Sequence, residues 1–151
     1  MRNNEKSNFL YIKNIFESIS NEYDFMNDLM TFKNHSKWKE EIVEIAIDSS
    51  PKKILDIATG TGDIAIKLSK IKGSIIDAVD VSDNMLKIAH NKIDKLNINN
   101  INLKTCEAEN LVFDDNQFDI ISIGYGVRNF TNLTKGLSES YRVLKNNGKL
   151  I

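Results

Sequence analysis

The sequence predicts an α/β domain, a doubly wound parallel sheet that carries a helical extension at its N-terminus. Two observations indicate this fold. After Pro51, the only proline in the 151 residues, short apolar runs alternate with amphipathic stretches, and strands that alternate with helices pair in parallel through crossovers. The runs are also too continuously apolar to leave one face in water, so helices should cover both sides of the sheet.

The stretch before Pro51 is predicted to be helical from Phe9 to Ile47. Its apolar side chains recur at intervals of three and four residues, which is the period of one helix face. They are Ile12, Ile15, Phe16, Ile19, Trp38, Ile42, Ile45 and Ala46. Residues 1–50 are therefore assigned to an N-terminal helical unit and residues 51–151 to the core that contains the sheet.

The core is predicted to contain five strands and three helices. The strands cover residues 54–58, 74–81, 101–106 and 118–123, and a fifth opens at 148–151. The helices cover residues 63–70, a stretch that follows an N-cap at Ser82, and residues 131–145, where Leu133, Leu137 and Leu144 share one face. Proteins normally cover or pair an edge strand, so the early end of the fifth strand leads us to expect a fragment of a longer protein.

Composition excludes several classes of protein. With 20 basic and 21 acidic side chains, the chain lacks the basic excess that is typical of nucleic-acid binders. Cys106 is the only cysteine, which excludes an internal disulfide and a cysteine-rich metal cluster, so no metal is predicted and a reducing, cytoplasmic setting is expected. No apolar run approaches the roughly 20 residues of a membrane helix.

The segment from Asp56 to Ala65 predicts a nucleotide site. It reads as a strand, a glycine turn at Gly60 and Gly62, and the start of a helix. Glycine allows a ligand to approach the backbone closely, and ligands bind beyond the carboxyl ends of the strands in such sheets. The spacing of the two glycines and Ala65, with Asp80 about 20 residues downstream, also matches a dinucleotide fingerprint. An NAD-dependent oxidoreductase is therefore one interpretation.

The acidic residues favour a different cofactor, S-adenosyl-L-methionine. Asp63 at the helix start would repel a pyrophosphate and compete for its donors, and Asp56 adds a second negative charge. S-adenosyl-L-methionine has no phosphate and is cationic at its sulfur and its amino group. Asp80 is placed to accept both ribose hydroxyls, and Glu107 or Glu109 after the third strand could contact the adenine. The plainer alternatives are an N-cap for Asp63, a strand-end acid for Asp80 and a solvated loop for the glutamates.

Motifs outside the glycine turn carry a closer resemblance. These are Tyr23-Asp24-Phe25-Met26-Asn27-Asp28-Leu29-Met30-Thr31 with His35 and Trp38, then Asp114-Asp115-Asn116-Gln117-Phe118-Asp119, Gly126-Val127-Arg128-Asn129 and Tyr141-Arg142-Val143-Leu144-Lys145. Together with the glycine turn they resemble the ubiquinone/menaquinone biosynthesis C-methyltransferases, which are class I S-adenosyl-L-methionine-dependent enzymes. The resemblance runs from about Phe16 to Ile151.

The resemblance implies a Rossmann-like fold whose N-terminal helices form a lid over the site. It places cofactor contacts at Thr61, Asp80, Glu107, Ala108 and Gly124, in addition to Asp56, Gly60 and Gly62 from the residues themselves. It implies methyl transfer to a ring carbon of a polyprenyl quinol such as demethylmenaquinol. Arg128 would stabilise the quinolate oxygen, Asn129 would orient the ring, and Tyr23 would belong to the substrate lid.

Some positions depart from the family pattern. Thr31 replaces a usual Ser, Thr59 a common Gly, Glu107 an Asn or Asp, Gly124 a Ser, and Asn146-Asn147 a Pro-Gly pair. The resemblance further implies a quinol as the partner and no nucleic acid. A peripheral contact with the inner membrane face and a homodimer are left open.

Three alternative functions remain at this level. The first is the NAD-dependent oxidoreductase described above. The second keeps the methyltransferase fold and changes the substrate to a small molecule, a protein or a nucleic acid. The third is a non-catalytic fragment that only binds the cofactor.

Overall fold

A parallel sheet of five strands forms the centre of the molecule, for which we use a computed structural model that describes residues 2–19 and 34–151. The strands are β1 (Lys53–Ile57), β2 (Ile75–Asp80), β3 (Ile101–Thr105), β4 (Phe118–Ser122) and β5 (Leu144–Leu150). Their order across the sheet is β3-β2-β1-β4-β5, and all four neighbouring pairs are parallel. The strand order reverses between β1 and β4, which is the position where ligands bind in open α/β sheets.

The described residues of the N-terminal extension form two helices, α1 (Arg2–Ile19) and α2 (Asn34–Ile47). The helical prediction for this stretch is therefore confirmed at both ends. Tyr23 and the surrounding signature lie outside the described residues.

The core contributes the helices α3 (Asp63–Leu68), α4 (Asp83–Lys95) and α5 (Leu133–Val143), and a 3₁₀ turn over Gly126–Asn129. Ser82 caps α4 as predicted, since its Oγ accepts the N–H of Met85 at 3.2 Å. Asn132 caps α5 in the same way, accepting the N–H of Lys135 at 3.0 Å. Each cap satisfies one N–H that the helix itself leaves without a partner.

Helices cover both faces of the sheet, which confirms the doubly wound fold. Successive residues of a strand point to opposite faces, so Leu55, Val79 and Ile121 belong to one apolar cluster while Ile54, Ala78 and Ile120 belong to the other. Helix α5 contributes Val143 to the first cluster, and α3 contributes Ile64, Ala65 and Leu68 to the second.

The inward face of α5 differs from the prediction. Leu133 and Leu137 are 48% and 38% exposed, and the buried residues of the helix are Gly136, Ser140 and Val143. A Cβ on Gly136 would lie 2.5 Å from the ring of Phe130, so only a residue without a side chain lets that ring pack here. Small residues on the contact face bring the helix close to its neighbours, and apolar periodicity does not register them.

The fifth strand also begins earlier than predicted, at Leu144 instead of Gly148. Leu144 pairs with Phe118, and after a bulge the regular register resumes with Lys149 opposite Ile120 and Leu150 opposite Ile121. Asn147 has a φ of 65° in this irregular stretch. The polar residues of the bulge interrupt the apolar run, which is why the sequence marked only the last part of the strand.

Candidate functional site

A cavity of about 350 Å³ opens where β1, β2, β3 and β4 end. This volume lies within the range of small-molecule sites in proteins. The wall combines the glycine turn, the segments that follow β2, β3 and β4, and three side chains of the N-terminal extension. Its residues are Ile12, Phe16, Lys39, Ile57, Ala58, Thr59, Gly60, Thr61, Asp63, Ile64, Asp80, Val81, Met85, Cys106, Ala108, Glu109, Gly124, Tyr125, Gly126, Asn129, Phe130 and Thr131.

Asp80 lies at the end of β2 and contributes its carboxylate to this wall, where the sequence had placed it. Its Oδ2 accepts the N–H of Gly60 at 2.8 Å, and its Oδ1 accepts the N–H of Ser82 at 2.9 Å. Burial raises the pKa of Asp80, against the opposing effect of these N–H groups. The carboxylate is thus fixed between the glycine turn and the start of α4, with one edge toward the cavity.

Asp56 is placed beneath the wall and does not line the cavity. The side chain is 1% exposed. Ser122 donates its hydroxyl to Oδ1 at 2.5 Å and Thr59 donates to Oδ2 at 2.6 Å. Asp56 therefore ties the end of β1 to the glycine turn and to the end of β4, and it acts on a bound ligand only through those elements.

The environment of Asp56 predicts a pH dependence of stability. Burial, against the opposing hydrogen bonds from Ser122 and Thr59, raises the pKa of Asp56 from 3.8 to about 6. The folded protein then holds this proton more tightly than the unfolded chain, so the free energy of unfolding falls as the pH rises through about 4 to 7. Asp56→Asn removes this pH-dependent contribution to the free energy of unfolding and keeps a side-chain oxygen that can accept the hydroxyl of Ser122.

We expect the stability of Asp56→Asn relative to the unsubstituted protein to rise by on the order of 2 kcal/mol between pH 4 and pH 7. Urea unfolding of both proteins across that range measures the difference. Asp80 has a raised pKa too, and its charge contributes to the raised pKa of Asp56, so the difference includes the coupling between the two carboxyl groups. Parallel stability curves would show that Asp56 has the same pKa in the folded and unfolded states.

Asp63 was expected to be either the N-cap of a helix or a negative charge that repels a pyrophosphate, and the structure differs from both expectations. The N-cap residue of α3 is Gly62, with a φ of 84° and no side-chain cap, and Asp63 is the first residue of the helix. Lys39 donates to its Oδ2 at 2.6 Å and Lys92 to its Oδ1 at 2.9 Å. Burial acts to raise the pKa of Asp63, but these two ammonium groups outweigh it and lower the pKa. With two lysines opposite one carboxylate, repulsion by Asp63 does not exclude a pyrophosphate.

The segment after β3 contributes Cys106, Ala108 and Glu109 to the wall, while Glu107 is exposed and outside it. Glu109 is 9% exposed and accepts the N–H of Asn132 at 3.1 Å. The carboxylate that faces the cavity here is therefore Glu109.

The segment after β4 brings Gly124 and Asn129 into the wall. Arg128 lies in the 3₁₀ turn beside them, but its side chain is exposed and outside the wall. A Cβ on Gly126 would lie 2.3 Å from the Cβ of Ala58, so glycine is needed for the ends of β1 and β4 to approach here. The predicted role of Tyr23 stays a prediction, because that residue is outside the described ones.

Helix α1 covers the cavity with Ile12 and Phe16. It is held there by Glu17, whose Oε1 accepts the N–H of Asp83 at 2.8 Å and whose carbonyl oxygen accepts from Asn84 Nδ2 at 3.3 Å. Periodicity assigned Ile12 and Phe16 to a helix face, and the family resemblance placed the N-terminal helices over the site, but these two side chains were not singled out as part of the wall. Lys39 was missed as well, although it directly follows Trp38 in the N-terminal signature.

The described part of the chain contains no helix long and apolar enough to cross a membrane. It also contains no group of three or more His, Cys, Asp or Glu side chains that could hold a metal ion.

Residues 2–151 match the model of the ubiE/COQ5 methyltransferase family. The chain belongs to this family. A family member from Blochmanniella floridana, the ubiquinone/menaquinone biosynthesis C-methyltransferase UbiE, is 41% identical over 143 residues, which are 93% of this chain. The chain spans 56% of that relative's length.

Two solved structures show that the sheet and its helices follow the Rossmann-like methyltransferase fold. A Methanococcus maripaludis protein assigned as an S-adenosyl-L-methionine-dependent methyltransferase is 28% identical with a TM-score of 0.72, over 82% of this chain and 58% of its own. A Haemonchus contortus phosphoethanolamine N-methyltransferase, solved with S-adenosylhomocysteine, is 29% identical with a TM-score of 0.62, over 66% of this chain and 23% of its own.

Proposed function

We propose that this chain carries the S-adenosyl-L-methionine site of an enzyme that methylates a ring carbon of a polyprenyl quinol. The observation that carries the proposal is the carboxylate of Asp80 in the wall of a cavity built on the glycine turn, in a chain of the ubiE/COQ5 methyltransferase family. The quinol comes from the name of the relatives, which are ubiquinone/menaquinone biosynthesis C-methyltransferases.

The residues of the cavity fit this cofactor. When bound, it would supply an electrophilic methyl group on a positively charged sulfur. Asp80 would accept the ribose hydroxyls, since a carboxylate has more acceptor positions than the two N–H groups of Gly60 and Ser82 occupy. Ala108 and Glu109 would contact the adenine on the β3 side, and Gly60, Thr61 and Gly124 would leave room for the amino-acid end near β1 and β4.

Alignment of donor and acceptor is the main task of the protein in such a displacement. Ile12 and Phe16 would exclude water above the site, which strengthens the electrostatic interactions inside it. Arg128 would stabilise the quinolate oxygen and Asn129 would orient the ring, with Tyr23 in the lid. Asn129 lies in the cavity wall, whereas Arg128 at its exposed position would meet the substrate at the mouth.

The NAD-dependent alternative shares the glycine turn and Asp80 but has no other support. Family membership favours methyl transfer. Because lysines compensate the charge of Asp63, electrostatic repulsion does not distinguish the two cofactors, and measured affinities have to do so. A fragment that binds the cofactor without catalysing methyl transfer differs from the proposed enzyme only in activity, so an activity measurement distinguishes the two. A peripheral membrane contact, a homodimer and the identity of the quinol stay predictions.

Calorimetric titration of the chain tests the proposal. We expect S-adenosylhomocysteine to bind with a Kd in the micromolar range, roughly −8 kcal/mol, and NADH to show no binding at the same concentration. Transfer of a labelled methyl group to demethylmenaquinol in detergent then tests the reaction. Binding of NADH in preference to S-adenosylhomocysteine would contradict the proposed function, and binding without methyl transfer would support the non-catalytic alternative for this chain.

A further inference from the structure

The backbone between β3 and β4 (residues 106–113, here the β3–β4 segment) forms the side of the cavity on which the adenine is proposed to lie. It contributes Cys106, Ala108 and Glu109 to the wall. The N–H of Cys106 donates to the carbonyl oxygen of Asp80 at 2.9 Å, which extends the pairing of β3 with β2 by one residue. Beyond this point the segment leaves the sheet, so its shape depends on the elements that pack against it.

Helix α5 holds the β3–β4 segment at two places. At the start of the helix, the N–H of Asn132 donates to Glu109 Oε1 at 3.1 Å. Near its end, both polar groups of the Leu111 backbone bond to side chains of the helix. Glu139 Oε2 accepts the N–H at 2.9 Å, and Arg142 Nη2 donates to the carbonyl oxygen at 2.9 Å. Because one helix provides all of these partners, the two places keep a fixed separation.

Arg142 and Glu139 act as one unit. Nε and Nη2 of the guanidinium group donate to Oε1 and Oε2 of Glu139, both at 2.8 Å, which is the bidentate geometry that orients an arginine and a carboxylate relative to each other. Nη1 donates to the carbonyl oxygen of Phe113 at 2.8 Å and to Asp115 Oδ1 at 2.8 Å. Leu111 is 5% exposed, so water is a poor replacement for the partners of its backbone.

We propose that Arg142 and Glu139 are positioning residues that set the specificity of the site for adenine. This inference rests on the proposed S-adenosyl-L-methionine site. Glu109 lies two residues before Leu111, and its carboxylate has acceptor positions beyond the one that the N–H of Asn132 occupies. Held at this position, Glu109 accepts from the exocyclic amino group of the base. Neither Arg142 nor Glu139 lines the cavity, so both act through the backbone of the β3–β4 segment.

Two ligands that differ only in the base test this assignment. S-adenosylhomocysteine has an amino group at C6 of the base, whereas S-inosylhomocysteine has an oxo group there, so an acceptor such as Glu109 favours the first. In calorimetric titrations at pH 7, we expect the unsubstituted chain to prefer S-adenosylhomocysteine by about tenfold or more. Arg142→Met should reduce that preference by about fivefold, because the affinity for S-adenosylhomocysteine falls while that for S-inosylhomocysteine changes by less than about twofold.

Two further variants accompany Arg142→Met. Arg142→Lys keeps the positive charge beside Glu139 but lacks the planar fork of donors, so its preference should lie between those of Arg142→Met and the unsubstituted chain. Lys145→Met is the matched control. Lys145 lies three residues further along the chain, and its Nζ forms an ion pair with Asp119 Oδ1 at 2.7 Å with similar exposure. Both residues are outside the cavity wall, so the preference should stay unchanged even where stability falls.

An equal loss of affinity for both ligands in Arg142→Met would overturn the proposal, because it would mean that the pair only supports the fold. An unsubstituted chain without a preference between the two bases would overturn it too. If Arg142→Met does not fold, Arg142→Lys decides alone, and an unchanged preference in that variant contradicts the proposal. If the unsubstituted chain binds neither ligand, the proposed function itself fails, which is a different result.

Discussion

Asp80→Asn is expected to weaken binding of S-adenosylhomocysteine by about 10- to 100-fold, the range for hydrogen bonds to a charged group. Asp80 has two oxygens, and each already accepts a backbone N–H, from Gly60 and from Ser82. An amide has only one oxygen. Its NH₂ group would therefore face either one of these N–H donors or the ribose hydroxyls, and in both cases an acceptor is lost at a position that is 8% exposed. Calorimetric titration at pH 7 measures the change.

Asp77→Asn provides the control on the same strand. Asp77 is half-buried and accepts from Asn102 Nδ2 at 3.1 Å, outside the cavity wall. The substitution is chemically identical, and the affinity should change by less than about twofold. Affinity near that of the unsubstituted protein in Asp80→Asn would exclude Asp80 as a ribose ligand and remove the main support for the proposed cofactor site.

Strand positions and the doubly wound fold were predictable from the sequence because burial on both faces makes parallel strands continuously apolar. Ser82 was predictable as a cap because its oxygen acts on the N–H of Met85, three residues away. Both signals are local in the chain. The face of α5 was not predictable, because its contacts depend on Phe130 packing against Gly136, and a residue without a side chain contributes nothing to an apolar pattern.

The residues of the site also divide into those that the sequence predicted and those that depend on contacts between distant parts of the chain. Asp80 and Gly60 were placed at the cavity because the ends of parallel strands meet at one edge of the sheet, whereas Thr61 and Gly124 were placed there by the family resemblance. The partners of Asp63 were not foreseen, since Lys39 and Lys92 are 24 and 29 residues away in the chain. They compensate the negative charge of Asp63 on which the argument against a pyrophosphate depended. Charge balance in a folded site depends on such distant pairs, and spacing along the chain does not show them.

Gly62→Ala is expected to lower the free energy of unfolding by about 2–4 kcal/mol, the sum of two separate costs. The residue has a φ of 84°, in the left-handed region that L side chains rarely adopt. A Cβ would also lie 3.0 Å from the Cβ of Ala89. Ala89 is fully buried in α4, so that contact can be relieved only if α3 and α4 move apart. The same movement displaces the glycine turn and the N–H of Gly60, so cofactor affinity should fall together with stability.

Gly73→Ala separates the two costs. Gly73 has a φ of 76°, and the nearest atom to an added Cβ would be Nζ of the flexible Lys52 at 3.4 Å. This variant carries the backbone strain without the steric contact, so we expect a loss of about 1 kcal/mol and unchanged cofactor affinity. Urea unfolding and titration of both variants measure the difference. Equal losses of stability would mean that α4 adapts freely to a side chain at position 62, and the close packing of α3 against α4 would then not be what fixes the position of the glycine turn.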